Sequence, residues 1–310
     1  MNTTTAAVVR TPGADAPAEL STVELAIVTL PAPAADEVLV SVAAATINPV
    51  DVAVVSGFWH SIGAITQTEH TGLGWDVAGT VLAVGSAVTA LAAGDRVAGL
   101  HAGVDHAVGS AADHVLLPAS AVALVPETLD LVAAASLPLN ALTAAQLLDL
   151  LGTPTPGATL LVTGAAGAVG GHALRLAARL GWTVTGLARE SDRDYVESAG
   201  ATFTSALPEA PTFDAVADTA VLAEVAVAAV VDGGRYAGVI PVAVPEGVRG
   251  VTTTAVMAAP DGERLASLLA QAAEGLLDTR VHATLPLAEA DKAVRTVAAG
   301  GVRGRVVVLP

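Results

Sequence analysis

The chain contains no cysteine and a single lysine, Lys292, among 310 residues. Without a thiol it can form no disulfide framework, thiolate zinc site or cysteine nucleophile. Aromatic residues make up 3% of the chain, and 14 basic residues face 30 acidic ones, for a net charge of −16. A balance this acidic repels phosphate backbones, so nucleic acid is excluded as a partner. Hydrophobic residues reach 53%, yet much of that is alanine and valine broken by Gly, Pro or charge. No uninterrupted apolar run reaches the ~18 residues a membrane span needs, and no membrane partner is expected. Residues 1–5 hold no basic segment leading into an apolar core, so a soluble cytoplasmic protein is expected.

What is present changes in texture along the chain. The first 125 residues read as β-rich: residues 38–42, 77–84, 97–100, 115–118 and 122–125 are short apolar runs closed by Gly or Pro. Beyond Pro126, helical and strand patterns alternate. Residues 129–136, 143–151, 222–231 and 262–275 carry helical spacing. Residues 159–163, 182–187, 213–218, 233–240, 281–285 and 306–309 read as strands, some entered through a glycine turn. Alternation of this kind builds a parallel sheet covered by helices. Asp76 and Asp95 are read as turn residues, and no internal repeat is found.

The most informative stretch is Thr163-Gly164-Ala165-Ala166-Gly167-Ala168-Val169-Gly170, which follows the apolar Leu160-Leu161-Val162. A buried parallel strand would run here into a glycine turn and then a helix whose apolar face is Leu174, Leu176, Ala177 and Leu180, stopped by Gly181. Gly167 would let the backbone approach a pyrophosphate and Gly170 would let the helix pack closely on its strand. The free N–H groups of the helix start would bind phosphate. The first glycine of the usual G-x-G-x-x-G is replaced by Ala165, so a glycine-rich turn that binds no nucleotide is the competing reading.

The end of the next strand bears on which dinucleotide would bind. Ala188 stands where an NAD site would place an acid for the ribose 2′-OH. Arg189, Ser191, Arg193 and Tyr195 follow, donors suited to a 2′-phosphate and hence to NADPH. Glu190 would approach the ribose after a one-residue slip, and a plain solvated loop is the alternative for the two arginines.

The order of these parts resembles the medium-chain dehydrogenase/reductase superfamily, and within it the zinc-free quinone oxidoreductase branch. The resemblance rests on Asn48-Pro49-Val50-Asp51, Gly74-Trp75-Asp76, Gly94-Asp95-Arg96-Val97, Ala134-Ala135-Ser136-Leu137-Pro138, the glycine loop, and the tail from Gly301 to Leu309, where Arg305 replaces the usual lysine. It implies an α/β chain: a GroES-like β-rich catalytic domain, residues 1–126 with 282–310, and a Rossmann doubly wound parallel sheet domain, residues 127–281. It also implies a homodimer through the apolar run 248–257. Zinc-dependent relatives use a cysteine and a histidine that this chain lacks at the matching places, so no metal is expected. An imidazole site from His60, His70, His101, His106 and His114 is disfavoured by irregular spacing.

By resemblance, Asn48 and Asp51 shape the catalytic floor, Thr143 contacts the cofactor, Gly238, Val239 and Ile240 line the nicotinamide, and Arg303 reaches the cofactor from the tail. The same residues also allow plainer readings: Asn48 as a turn former before Pro49, and Asp51 as a helix cap. The family often has a tyrosine where this chain has Gly57-Phe58-Trp59-His60. Phe58 and Trp59 would stack on a flat apolar substrate with His60 as a donor, or else plug the barrel mouth. The activity implied is NADPH-dependent hydride transfer to a quinone or an α,β-unsaturated carbonyl. An enoyl-thioester reductase, or a nucleotide-binding protein without turnover, are the alternatives.

Overall fold

The computed structural model describes residues 2–11 and 20–310; Met1 and residues 12–19 lie outside that set. The chain divides into two compact units, one of Met1–Leu139, Pro260–Gly275 and Thr279–Pro310, the other of Asn140–Ala259 and Leu276–Asp278. The expected division at residues 126 and 282 therefore falls about a helix away from the observed one on each side.

The first unit begins with β1 (Asn2–Arg10), β2 (Val23–Leu30), β3 (Glu37–Ile47), α1 (Pro49–Val55), α2 (Phe58–Ser61), β4 (His70–Gly72), β5 (Asp76–Val84), β6 (Arg96–Leu100), β7 (His114–Pro118), β8 (Val122–Leu124) and α3 (Leu131–Ala135). Helix α4 (Pro138–Leu151) starts in this unit and leads into the second, which holds β9 (Thr159–Thr163), α5 (Ala168–Leu180), β10 (Thr183–Leu187), α6 (Arg193–Ser198), β11 (Thr202–Thr204), β12 (Phe213–Asp218), α7 (Glu224–Val227), β13 (Val230–Gly238) and β14 (Thr252–Ala255). The chain then returns to the first unit through α8 (Gly262–Ala273), β15 (Val281–Pro286), α9 (Ala290–Ala298) and β16 (Arg305–Leu309).

In the first unit, a seven-stranded sheet runs β15-β16-β3-β5-β6-β8 with β7 also pairing β3, beside a three-stranded sheet β2-β1-β4. The long β3 alternates Val38, Val40 and Val42 into a core shared with Val77, Val97, Leu117 and Val306. The C-terminal strand β16 pairs antiparallel with β3, Val307 opposite Thr46, as the return of the tail to the first domain requires. Helix α9, absent from the sequence expectation, buries Ala290, Ala293 and Val294 at helical spacing.

In the second unit, six parallel strands run β11-β10-β9-β12-β13-β14. The central β9 buries Leu160, Leu161 and Val162 on both faces. Helix α5 buries Leu174, Leu176 and Ala177, but Leu180 in its last turn is exposed. The helix expected over residues 222–231 is one turn, because the β-branched Val230 and Val231 already belong to β13.

Candidate functional site

The loop after β9, the residues after β10, the end of β12 and the end of β13 all lie at the carboxyl edge of one parallel sheet, the edge where such sheets bind ligands. Gly167 is the N-cap of α5 and offers no side-chain cap, so the first-turn N–H groups of Ala168, Val169 and Gly170 have no carbonyl acceptor within the helix. A Cβ at Gly170 would stand 2.2 Å from the Gly164 carbonyl oxygen, so only glycine lets the helix start lie this close to the loop. The replacement of the usual first glycine by Ala165 is accommodated because the left-handed residue is Gly164 (φ 58°), one place earlier. Ala165 is buried and its N–H donates to the Leu187 carbonyl. An open helix start beside a crowded glycine turn suits the pyrophosphate of a dinucleotide.

Behind this loop sits a buried polar cluster that the sequence reading missed. The Asp218 carboxylate accepts from Thr163 Oγ1 at 2.5 Å, from the Tyr236 hydroxyl at 2.8 Å and from the Ala223 N–H at 2.8 Å. Burial and the neighbouring Asp218 raise the Tyr236 hydroxyl above the usual phenol range, so it stays protonated as a donor.

The donors past β10 separate into two groups. Arg189 is exposed and makes no ion pair among the described residues. Arg193 is held by Glu190 at 2.7 Å and Glu197 at 3.4 Å, and its guanidinium covers the Phe203 ring at 4.2 Å. The Tyr195 hydroxyl accepts from Arg175, which is itself paired with Asp278. Ser191 is exposed. Gly238 is buried, Val239 half-buried and Ile240 exposed at the end of β13, and Thr143 is buried on α4.

In the first unit, Asn48 and Asp51 come together around Asp76. Asn48 is the N-cap of α1, and its N–H donates to Asp51 at 2.8 Å, while Asp51 also accepts from the Gly74 N–H at 2.7 Å. Thus Asp51 does cap the helix. Asn48 Nδ2 donates to Asp76 Oδ2 at 2.7 Å, Thr46 Oγ1 donates to the same oxygen, and the Leu139 N–H donates to Asp76 Oδ1 at 2.5 Å. Asp76 is therefore not a turn residue: it opens β5, is wholly buried, and caps the start of α4. Burial raises the carboxyls of both Asp76 and Asp51, the latter to about 7. Burial lowers the Arg305 guanidinium to about 10, with the Asp76 carboxylate opposing that fall. Asn48 and Asp51 are fully buried with these bonds made. Arg303 lies in the segment just before β16.

Helix α2 presents Phe58 to solvent at 42% exposure, with its ring edge-on to Trp59 at 5.1 Å. Trp59 packs against the first unit's core. Both His60 ring nitrogens and the Trp59 Nε1 are buried without a hydrogen-bond partner among the described residues, and desolvation lowers the His60 imidazole below its ordinary value. The rings of His101 and His106 lie 4.3 Å apart, and burial drops His101 to about 3. Among the described residues, no three His, Asp or Glu side chains are grouped to hold a metal ion. No helix among them is long and apolar enough to cross a membrane.

Comparison with known proteins agrees with this architecture. Residues 34–127 match the alcohol dehydrogenase GroES-like domain family, and residues 194–308 match the zinc-binding dehydrogenase family. The chain is 33% identical over 236 residues to 2-methylene-furan-3-one reductase of Solanum lycopersicum, covering 71% of this chain and 58% of that protein. It is 31% identical over 237 residues to a chloroplastic NADPH-dependent alkenal/one oxidoreductase of Arabidopsis thaliana, covering 71% and 59%. The chain thus spans less than two thirds of the length of these relatives. The solved structure of the quinone oxidoreductase from Coxiella burnetii superposes over the whole of both chains with a TM-score of 0.86 at 23% identity, a likeness of fold. With a GroES-like domain match in one part of the chain and a dehydrogenase-domain match in the other, the chain is similar to the medium-chain dehydrogenase/reductase superfamily.

Proposed function

We propose that this protein is an NADPH-dependent reductase of quinones or α,β-unsaturated carbonyl compounds that works without a metal. The observation that carries the proposal is the carboxyl edge of the parallel sheet: a helix start without a side-chain cap beside Gly164 and Gly170, with Ala188 in place of an acid and next to it the exposed Arg189, which makes no ion pair among the described residues. The N–H groups of Ala168, Val169 and Gly170 would hold the pyrophosphate, and Arg189 would hold the 2′-phosphate through its planar donor fork. Gly238, Val239 and Ile240 would line the nicotinamide. Arg193, Ser191 and Tyr195 would shape the adenosine end, with Arg193 already committed to two glutamates. The names of two relatives, a 2-methylene-furan-3-one reductase and an NADPH-dependent alkenal/one oxidoreductase, support the same reading.

When bound, the cofactor supplies a hydride from the nicotinamide C4. An enone accepting that hydride at its β-carbon would gather charge on its carbonyl oxygen as the enolate, and water would supply the proton at the α-carbon. Phe58 and Trp59 would offer apolar walls to a flat substrate. His60, held neutral by desolvation and with neither nitrogen partnered among the described residues, would donate to the oxygen on which charge develops. The absence of cysteine, and Trp75 where zinc relatives carry histidine, favour chemistry without a metal. A homodimer would form through β14, the sheet's edge strand, beside which Val248 is half-exposed and Met257 78% exposed.

The test is consumption of NADPH with a small panel of quinones and enones. Turnover with at least one member is expected. NADPH binding without turnover on any of them would replace this reading with a non-catalytic nucleotide-binding protein.

A further inference from the structure

Asp218 is a buried carboxylate to which the proposed chemistry gives no part, and it stands directly behind the glycine loop. Its two oxygens are occupied by donors from three places: Thr163 at the end of β9, Tyr236 in β13, and the backbone of Ala223 in the turn that follows β12. Among the described residues it has no cationic partner, so these three donors alone compensate its burial. The bonds spread from there into the loop. Thr163 Oγ1 also accepts from the Ala220 N–H at 3.1 Å, and Thr219 Oγ1 donates to the Thr163 carbonyl at 2.5 Å. Thr219 and Ala220 in turn press on the loop: a Cβ at Gly164 would meet Thr219 Oγ1 at 3.1 Å and Ala220 Cβ at 3.2 Å, and one at Gly170 would meet Thr219 Oγ1 at 2.9 Å.

The turn that leans on the loop is strained. Val221 (φ 57°) and Ala223 (φ 51°) both occupy the left-handed half of backbone space, which Cβ-bearing residues rarely adopt. Ala223 is held there with its N–H on Asp218. Strain of this size persists only where surrounding bonds over-determine the conformation, and the Asp218 carboxylate supplies such a bond.

We propose that Asp218 is a positioning residue for the dinucleotide cradle: it pins the strained 219–223 turn against Gly164 and Gly170 and so fixes the loop that meets the pyrophosphate. This rests on the proposed nucleotide site, and three readouts keep the two apart. The first is hydrogen exchange in the free protein. In Asp218→Asn, loop amides from Gly164 to Gly170 should exchange about ten- to a hundredfold faster, the loss expected of hydrogen bonds to a charged group, while amides of α8 and β16 keep their rates. The second is NADPH fluorescence titration, where the dissociation constant should rise by the same order while the enone KM stays within about twofold. The third is rescue. Ala223→Gly removes the need to hold that residue in place, so the double variant should recover part of the lost affinity.

Tyr236→Phe removes one donor and keeps the charge, so it should give a smaller effect in the same direction. It serves as the test if Asp218→Asn does not fold. Unchanged loop exchange in a folded Asp218→Asn or Tyr236→Phe variant overturns the proposal, as does NADPH affinity equal to that of the parent. Faster loop exchange in a protein whose parent binds no nucleotide would uphold the pin and remove the nucleotide site instead.

Discussion

Replacing Gly170 by alanine is the sharpest perturbation of the cradle. The added Cβ would lie 2.2 Å from the Gly164 carbonyl oxygen, 2.8 Å from its carbonyl carbon and 2.9 Å from Thr219 Oγ1. A comfortable contact is about 3.5 Å, so the helix start and the loop must part by about 1 Å. Neither side yields easily: Gly164 lies at the end of the buried β9, and Thr219 is tied to the Thr163 carbonyl at 2.5 Å. Overpacking of this kind costs ~1–3 kcal/mol, which for a chain this size is a fall in melting temperature of roughly 2–5 °C. The same displacement misaligns the first-turn N–H groups, so the NADPH dissociation constant should rise at least about tenfold, since an ångström of misplacement readily costs that much. Gly167→Ala is the milder comparison: its Cβ would meet the same Gly164 carbonyl oxygen at 2.9 Å instead of 2.2 Å, so its melting temperature should fall by less than that of Gly170→Ala. Thermal melts and fluorescence titration read both effects. A folded Gly170→Ala variant with the parent's melting temperature and NADPH affinity would refute the packing argument.

Three other outcomes follow from the same geometry. Asp76→Ala leaves Thr46, Asn48 and the Leu139 N–H without their acceptor and Arg305 without its countercharge, so urea denaturation should show a loss of ~3–5 kcal/mol, and a loss under about 1 kcal/mol would contradict the buried cluster. Asp51 has its folded carboxyl raised from 3.8 to about 7, so the folded state binds more protons than the unfolded between those values; its stability contribution is full at low pH and is lost as pH rises toward 7, by at most ~1.4 kcal/mol per pH unit. Stability curves of the parent and Asp51→Asn should therefore diverge in slope across that window, and parallel curves would show the carboxyl to be unshifted. Met257→Asp should lower the sedimentation coefficient toward that of one chain if β14 is the dimer edge, whereas an unchanged dimer would place the interface elsewhere.

Much of the second unit was legible because its signals are local. The apolar strand at 159–163, the glycine turn and the α5 pattern succeed one another in the chain, and each reports on neighbours a few residues away. The departures have physical causes. Residues 222–231 carry apolar spacing compatible with a helix, but the β-branched Val230 and Val231 join a strand already flanked by β12 and β14. Leu180 fits the apolar stripe of α5 yet sits in its exposed last turn, next to the Gly181 cap. Strand β2 escaped notice because its interior residues are largely exposed and give no alternating core signal.

The site in the first unit was harder to read. Asp76 follows Gly74-Trp75 and looks like a turn residue, while its side-chain and helix-start partners lie 28, 30 and 63 residues away, a relationship that one sequence does not display. Asp218 had the same disguise, as the last residue of a well-read strand whose partners Thr163 and Tyr236 are brought together only by the parallel sheet. Arg189 and Arg193 looked equivalent in the chain. Folding separates them by placing Glu190, Glu197 and Phe203 around the second.

Calorimetric titration of the parent protein and Arg189→Ala with NADPH and NADH tests the central claim most directly. The parent should bind NADPH at least about tenfold more tightly than NADH, the order expected of one charge-assisted phosphate contact, and Arg189→Ala should erase that preference while leaving NADH binding unchanged. No heat with either nucleotide, or an NADPH preference that survives the substitution, would contradict it.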